Sequence, residues 1–272
     1  MARALRELAG RHGVRPRKSL GQHFLVDPNL ARSIVRWAGI GSSDRVLEIG
    51  AGLGSLTVEL ARTAERVLAI EIDPAAASAL RDVTGDLGNV EVTVADAMSL
   101  HWPSVLGEGE WKMVSNLPYN VAVPVVLDLL GTAPQIRKFT VMVQREVGER
   151  LAAGPGEDQY GAVSVRVAYH AEARTMRRVP PSVFWPEPNV ESVVVGLVRR
   201  PPPVSTQPER LFRVVAEGFA QRRKTMRNAL VRLGLDRPSA EAALAACGLA
   251  PNVRAERLGL PEFACVAEAV GG

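Results

Sequence analysis

The sequence has few of the features that mark secreted, membrane or metal-binding proteins. It contains only two cysteines, Cys247 and Cys265, and no CxxC pair or Cys/His cluster, which argues against a zinc site. Both lie in alanine-rich segments, so we expect two buried thiols, with a disulfide as the alternative. The longest apolar stretch, residues 121–130, is interrupted by Pro124 and Asp128 and is shorter than the ~20 residues of a membrane span. The N-terminus lacks the apolar core of a signal peptide, so we expect a soluble cytoplasmic protein with no membrane partner.

Aromatic residues make up only 5% of the chain, but the composition is otherwise that of an ordinary globular protein. Of 272 residues, 47% are hydrophobic and 23% are charged, which excludes a collagen-like or intrinsically disordered chain. The net charge of +4 is unevenly distributed: residues 1–20 carry +5, residues 166–232 carry +8 and the remainder carries −9. Two basic segments attached to an acidic body indicate a polyanionic partner.

Strand-like and helix-like segments alternate through the first half of the chain. Five short apolar runs are typical of buried strands, at residues 45–49, 66–71, 90–94, 112–115 and 138–143. The segments between them have helical periodicity, and this alternation predicts an α/β protein with a parallel, doubly wound sheet. The valine-rich segments 162–169 and 193–198 are interpreted as further strands of that sheet.

The same pattern predicts three parts. Residues 1–20 are rich in arginine, contain Pro16 and are interpreted as a loosely ordered basic arm. Residues 21–200 form the α/β domain, which ends at the proline-rich linker 199–203. Residues 201–272 form a small helical domain, because only helical patterns remain there, at 209–233, 239–247 and 261–270.

A glycine-rich turn directly follows the first apolar strand. Gly50, Gly52 and Gly54 let the backbone turn sharply and approach a ligand closely, which suits NAD, FAD or S-adenosylmethionine. Glu71 ends the next strand about twenty residues downstream, where a carboxylate can bind both ribose hydroxyls. Asp96 follows the third strand, where it can bind the adenine amino group. The alternative is that each carboxylate only caps the following helix.

The segment Asn116-Leu117-Pro118-Tyr119 follows the fourth strand and distinguishes between these cofactors. An exocyclic adenine amine is a poor nucleophile because its lone pair is delocalised into the ring. The Asn116 side-chain oxygen and a backbone carbonyl of the stiff turn at Leu117 and Pro118 can each accept one N6–H. Tyr119 offers a face on which a base can stack, worth ~1–3 kcal/mol. We therefore predict methyl transfer from S-adenosylmethionine to an exocyclic amine; the alternative is a simple Asn-Pro turn.

Several motifs, in this order, resemble the ribosomal small-subunit adenosine dimethyltransferases from Arg17 to about Ala267. They are KSLGQHFL at 18–25, the Gly50 loop, Glu71, Asp96, NLPYN at 116–120, VQREV at 143–147, YGAVS at 160–164, PSVFWPEP at 181–188 and RRKTMRNA at 222–229. The resemblance implies a Rossmann-like class I S-adenosylmethionine-dependent methyltransferase fold. It implies dimethylation of N6 of two adjacent adenosines in the 3′-terminal hairpin of 16S rRNA. It further implies a role in small-subunit biogenesis, with the small ribosomal subunit or its precursor as partner and the protein itself a monomer.

The resemblance also assigns roles to individual residues. The cofactor-binding residues that it implies are His23, Leu25, Gly50, Gly52, Glu71, Asp96 and Asn116. Phe184 resembles a second aromatic residue that would sandwich a flipped adenine against Tyr119. His23 stands where the family often has asparagine, and Ala51 where many members have proline. Neither departure removes a group that the proposed chemistry needs.

The basic segments supply the candidate RNA-binding residues, which are Arg17, Lys18, Arg222, Arg223, Lys224 and Arg227. The last four are predicted to lie on a helix. Their concentration beside an acidic body favours phosphate contacts over a merely solvated basic face.

Two other functions compete with this hypothesis. A related enzyme class methylates one adenosine in 23S rRNA and confers macrolide-type resistance, but segments 181–188 and 222–229 resemble the small-subunit group instead. A non-catalytic ribosome assembly factor with the same fold is the third hypothesis. The intact Gly50, Glu71, Asp96 and Asn116 argue against a loss of chemistry.

Overall fold

The computed structural model describes residues 2–17 and 20–271, and these fold as two compact units. One unit combines the chain up to Gly148 with Ala173–Arg199. The other, called here the C-terminal unit, combines Glu149–Glu172 with the residues from Arg200 onward. Segment 149–172, placed in the α/β domain by the sequence analysis, therefore belongs to the C-terminal unit. None of the helices in the described residues is both long enough and apolar enough to cross a membrane.

The described chain contains nine strands. They are β1 (Phe24–Leu25), β2 (Arg45–Ile49), β3 (Arg66–Glu71), β4 (Val90–Val94), β5 (Trp111–Asn116), β6 (Ile136–Gln144), β7 (Ala171–Val179), β8 (Phe184–Trp185) and β9 (Ser192–Arg199). Seven of them form one sheet in the order β4-β3-β2-β5-β6-β9-β7. The neighbouring pairs β4-β3, β3-β2, β2-β5 and β5-β6 are parallel, and β9 is antiparallel to β6. This confirms the predicted parallel sheet.

Twelve α-helices accompany the strands in the described residues. They are α1 (Ala2–Arg11), α2 (Pro28–Ala38), α3 (Ser55–Ala61), α4 (Pro74–Thr84), α5 (Trp102–Leu106), α6 (Ala122–Thr132), α7 (Arg145–Ala152), α8 (Ala162–His170), α9 (Pro208–Ala220), α10 (Met226–Arg232), α11 (Arg237–Ala246) and α12 (Leu260–Gly271). The central strands are almost continuously apolar and buried, as expected for a sheet that is covered on both faces.

Aspartate caps begin α2 and α4, whereas α3 follows Gly54 without a side-chain cap. The Asp27 carboxylate accepts hydrogen bonds from the backbone N–H of Asn29 and Leu30, and proline follows it at the first position of α2. Asp73 caps α4 in the same way, with Pro74 at the first position. These two caps fix where α2 and α4 start, and so fix the length of the turns that precede them.

The N-terminal segment is a packed helix over residues 2–11, so the interpretation of a loosely ordered arm is wrong there. Leu5, Leu8 and Ala9 lie on one face of α1 and pack against Ala76 and Ala79 of α4, because the spacing i, i+3, i+4 brings them onto one side. An ion pair from Arg11 to Asp82 links the polar side of α1 to α4. The candidate RNA-binding residue Lys18 lies outside the described residues.

Residues 162–170 form helix α8, so their interpretation as a strand is wrong. Their alternating valines fit a strand locally, but Val165 and Tyr169, one helical turn apart, are buried together in the core of the C-terminal unit. The strand of this region, β7, instead covers the arginine-rich residues that follow.

The C-terminal unit is built from α8 to α12 around one apolar core. The helix predicted at 209–233 is in fact two helices, α9 and α10, separated by residues 221–225. Cys247 and Cys265 form a disulfide between the end of α11 and α12, with their Cα atoms 5.8 Å apart. The expectation of two buried thiols is therefore wrong, and the alternative of a disulfide holds.

Candidate functional site

One cavity opens at the carboxyl ends of β2, β3 and β5 and gathers ten of the eleven predicted catalytic and cofactor-binding residues. They are His23, Leu25, Gly50, Gly52, Glu71, Asp96, Asn116, Leu117, Pro118 and Tyr119. Parallel strands end at the same edge of a sheet, and this is why residues so far apart in the sequence meet here.

The glycine loop after β2 has a backbone that other residues tolerate poorly. Gly50 and Gly52 have φ values of +73° and +56°, in the left-handed region. A Cβ atom on Gly50 would lie 2.9 Å from Cδ of Pro118, and one on Gly52 would lie 2.8 Å from Cδ1 of Phe24. The loop is therefore packed against two other walls of the cavity, and its glycines leave no room for side chains.

Glu71 is fixed at the wall of the cavity by two backbone donors. One carboxylate oxygen accepts a hydrogen bond from the Gly52 N–H at 2.7 Å, and the other accepts one from the Asp73 N–H at 2.9 Å. Burial raises the pKa of Glu71, and these backbone hydrogen bonds oppose the rise. Each carboxylate oxygen retains a lone pair that can accept a hydroxyl proton, as ribose binding requires.

Asp96 combines the capping role with a free oxygen. Its Oδ1 accepts a hydrogen bond from the Met98 N–H at 2.9 Å, so it does cap the short 3-10 helix Ala97–Ser99. Within the described residues its Oδ2 has no hydrogen-bond partner, and the side chain lines the cavity. Ile72 and Met98, which sequence reasoning missed, expose 47% and 44% of their surface at the same place. Exposed apolar side chains beside a carboxylate suit a flat purine ring with an exocyclic amine.

Asn116 is oriented by the N-terminal part of the cavity. Its Nδ2 donates a hydrogen bond to the backbone carbonyl of His23 at 3.0 Å, which assigns Oδ1 to the opposite side of the amide. The backbone N–H of Leu117 donates to the carbonyl of Met142 at 3.0 Å, so the turn that follows is also held to the sheet. The amide oxygen of Asn116 is thus available as an acceptor.

Tyr119 and His23 stack against each other, with ring centroids 5.1 Å apart and an angle of 30° between the planes. The Tyr119 hydroxyl is hydrogen-bonded to the Ser192 hydroxyl at 2.8 Å, and burial raises the pKa of the phenol. On the other side, Nδ1 of His23 donates to the Pro186 carbonyl at 2.6 Å. His23 therefore joins the loop after β5 to the loop after β8.

Phe184 is the predicted residue that the structure does not bring into the cavity. It is only 4% exposed and packs in the core with Ile34 and Val35 of α2, while its backbone pairs with Leu25. Its role as a second stacking aromatic residue stays a prediction.

Glu48 is a cavity residue that sequence reasoning missed. It lies in the middle of the apolar strand β2, directly before the glycine loop, and is 1% exposed. Burial raises its pKa from 4.5 to about 8, and the nearby charge of Glu71 adds to the rise. The signal in the sequence was a charged residue inside an otherwise apolar strand.

The basic residues of the C-terminal unit lie in a turn as well as on a helix. Arg222, Arg223 and Lys224 are exposed in the connection between α9 and α10, so the prediction that they lie on a helix is wrong. Arg227 does lie on α10 and pairs with Glu241 at 2.7 Å. Arg17, in the other unit, is exposed.

The family model described as "Ribosomal RNA adenine dimethylase" matches residues 13–269 of the chain. The chain is 46% identical over 271 residues to the ribosomal RNA small subunit methyltransferase A of Kineococcus radiotolerans, covering 98% of this chain and 90% of that one. It is also 46% identical to the protein of the same name from Streptomyces avermitilis, covering 97% and 91%.

Two solved structures resemble the fold over nearly its whole length. A dimethyladenosine transferase from Plasmodium falciparum superposes with a TM-score of 0.77 at 26% identity, over 90% of this chain and 96% of that one. The 23S rRNA methyltransferase ErmE superposes with a TM-score of 0.70 at 26% identity, over 92% and 100%.

Proposed function

The chain belongs to the ribosomal RNA adenine dimethylase family, and on that premise we propose that it dimethylates N6 of two adjacent adenosines in the 3′-terminal hairpin of 16S rRNA. It is an S-adenosylmethionine-dependent enzyme with the class I methyltransferase fold. The observation that carries the proposal is the single cavity that combines the glycine loop, Glu71 and Asp96 with the Asn116 turn.

The residues of the cavity fit S-adenosylmethionine. Glu71 would hold the ribose hydroxyls, Asp96 with its free oxygen would hold the adenine amine between Ile72 and Met98, and the glycine loop would hold the methionine moiety. When bound, this cofactor supplies an electrophilic methyl group on its sulfonium.

The Asn116 turn would prepare the target amine. The Asn116 oxygen, oriented by the bond from Nδ2 to the His23 carbonyl, accepts one N6–H of the adenosine. The Leu117 carbonyl, held rigid by Pro118, accepts the other. Two acceptors draw the amine toward a tetrahedral form with a localised lone pair, and positioning supplies much of the remaining rate. Tyr119, held in place by Ser192 and His23, presents its ring to the base.

The small subunit is the proposed substrate, as 16S rRNA in the subunit or its precursor. The relatives at 46% identity carry small-subunit names, whereas the 23S-methylating structure is 26% identical. We further propose that the enzyme acts in the cytoplasm as a monomer and contributes to small-subunit biogenesis.

Site mapping separates this proposal from its competitors. The protein is incubated with labelled S-adenosylmethionine and undermethylated small or large subunits, and the modified base is located. We expect dimethyladenosine at two adjacent positions of small-subunit rRNA. Label only in large-subunit rRNA would replace the proposal with the resistance-type activity, and binding without transfer would favour an assembly factor.

The role of Asn116 is tested by Asn116→Ala. We expect methyl transfer to be lost while the affinity for S-adenosylmethionine stays within about tenfold, because the side chain acts on the target amine. Asn29→Ala is a matched control, since Asn29 is exposed on α2 and does not line the cavity. Turnover that survives Asn116→Ala would contradict the mechanism.

A further inference from the structure

The outer strand of the main sheet carries three exposed arginines without acidic partners. β7 is the last strand in the sheet order and is hydrogen-bonded on one side, to β9. Arg174, Arg177 and Arg178 are exposed on it, and within the described residues none of them forms an ion pair. Other exposed arginines of this unit do form ion pairs, such as Arg137 with Glu110. Three uncompensated cations on one strand concentrate positive potential at this edge.

Two of the three arginines of β7 line a cavity next to α2. Met176 packs against the core that includes α2, so Arg174 and Arg178, two positions away on either side, belong to the same face. Their Cα atoms are about 13 Å apart along a strand that rises ~3.3 Å per residue. A cavity of about 250 Å³ lies between the strand and Trp37 of α2 and is lined by Arg174 and Arg177.

This edge leads directly to the methyl-transfer site. β7 ends at Val179, and a short 3-10 turn at Pro181–Val183 connects it to β8, which pairs with β1. The next residue, Pro186, accepts the hydrogen bond from His23 in the cavity wall. A polyanion lying along β7 would therefore pass from the edge of the sheet to the loops around the target base.

We propose that the β7 arginines bind the phosphate backbone of the rRNA strand that flanks the target adenosines. The inference rests on the proposed rRNA substrate and adds a binding surface outside the cofactor cavity. Arginine suits this role because its planar guanidinium donates two parallel hydrogen bonds to a phosphate. A peptide added to the strand edge would instead need pockets for alternate side chains, and β7 presents arginines at those positions.

The test compares two triple variants that change the charge equally. One replaces Arg174, Arg177 and Arg178 by glutamine. The control replaces Arg62, Arg66 and Arg137 by glutamine, each of which is paired with a glutamate. Affinity for undermethylated small subunits is measured at several salt concentrations, and affinity for S-adenosylmethionine is measured separately.

We expect the β7 variant to show a slope of log affinity against log salt that is shallower by about 2 to 3, since each lost phosphate contact reduces it by roughly one. Lysine at the same three positions should restore the slope, because lysine keeps the charge. The control variant should keep the wild-type slope, and cofactor affinity should be unchanged in all variants.

Three outcomes would overturn the proposal. The first is an unchanged slope in the β7 variant. The second is a variant that self-associates in light scattering while its monomer keeps the wild-type slope, because the arginines would then serve to block edge-to-edge pairing. The third is weaker binding to whole subunits but unchanged binding to protein-free rRNA, which would indicate an acidic protein partner. A wild-type protein that binds rRNA but transfers no methyl group would refute the proposed function and leave this surface intact.

Discussion

Replacing Glu48 by glutamine should remove a loss of stability that the folded protein suffers as the pH rises. Glu48 is buried in β2 beside the glycine loop, and its pKa rises from 4.5 to about 8 because burial disfavours the charged form. The carboxyl is therefore protonated in the folded protein and ionised in the unfolded chain between these two pH values. Its contribution to stability is complete below pH 4.5 and is lost as the pH rises toward about 8.

The expected size follows from this pKa difference. Each pH unit in that interval costs the folded protein up to about 1.4 kcal/mol, so the loss between pH 5 and pH 8 reaches up to about 4 kcal/mol. Glutamine has nearly the same shape and no charge. The free energy of unfolding of Glu48→Gln, relative to wild type, should therefore rise with pH by up to the same amount.

Urea unfolding of the cofactor-free protein at several pH values between 5 and 8 measures this difference. Glu65→Gln is the matched control, because Glu65 is exposed and the same substitution there should leave the pH dependence unchanged. Equal slopes of stability against pH for wild type and Glu48→Gln would refute the reasoning, as would a variant that loses stability relative to wild type as the pH rises.

Two further predictions concern structural links. Arg199 donates four hydrogen bonds, to the backbone carbonyls of residues 129, 130, 133 and 136. Arg199→Met should therefore lower the free energy of unfolding by about 2–4 kcal/mol, while the control Arg137→Met should change it by less than about 1 kcal/mol. Equal urea midpoints for the two variants would contradict this prediction. Cys247 and Cys265 are 18 residues apart, so reduction of their disulfide should lower the free energy of unfolding of the C-terminal unit by about 3 kcal/mol. Two reactive thiols in the unreduced, unfolded protein would disprove the pairing.

The meeting of Glu71 and Asp96 in one cavity was predictable from the sequence because both residues lie at the ends of strands. Glu71 and Asp96 were located by counting from apolar runs, and the observed register places Glu71 opposite Val94, two residues before Asp96. Parallel strands in register end at one edge, so residues at their ends share one cavity. Local pattern and sheet geometry together suffice for such a site.

Other features of the fold depend on contacts between segments that are distant in the sequence, so no local sequence pattern predicts them. The alternating valines of residues 162–169 suit a strand, but burial of Val165 and Tyr169 in the helical unit selects a helix. The burial of Phe184 results from the two-residue pairing of β8 with β1, which no periodicity reveals. The disulfide likewise depends on how the end of α11 meets α12.

The pairing of β1 with β8 also determines when, during synthesis of the chain, this part of the fold can form. His23 and its partner Pro186 are separated by 163 residues, so the wall that they build cannot exist until most of the chain has left the ribosome. Closure of so long a loop is among the slow steps of folding. The residues that line the cavity all lie between residues 20 and 125 and are synthesised early, but His23 gains its hydrogen bond to Pro186 only after the segment beyond β8 has been made. A chain that ends before Pro186 would therefore contain every residue that lines the cavity but would lack this support for His23.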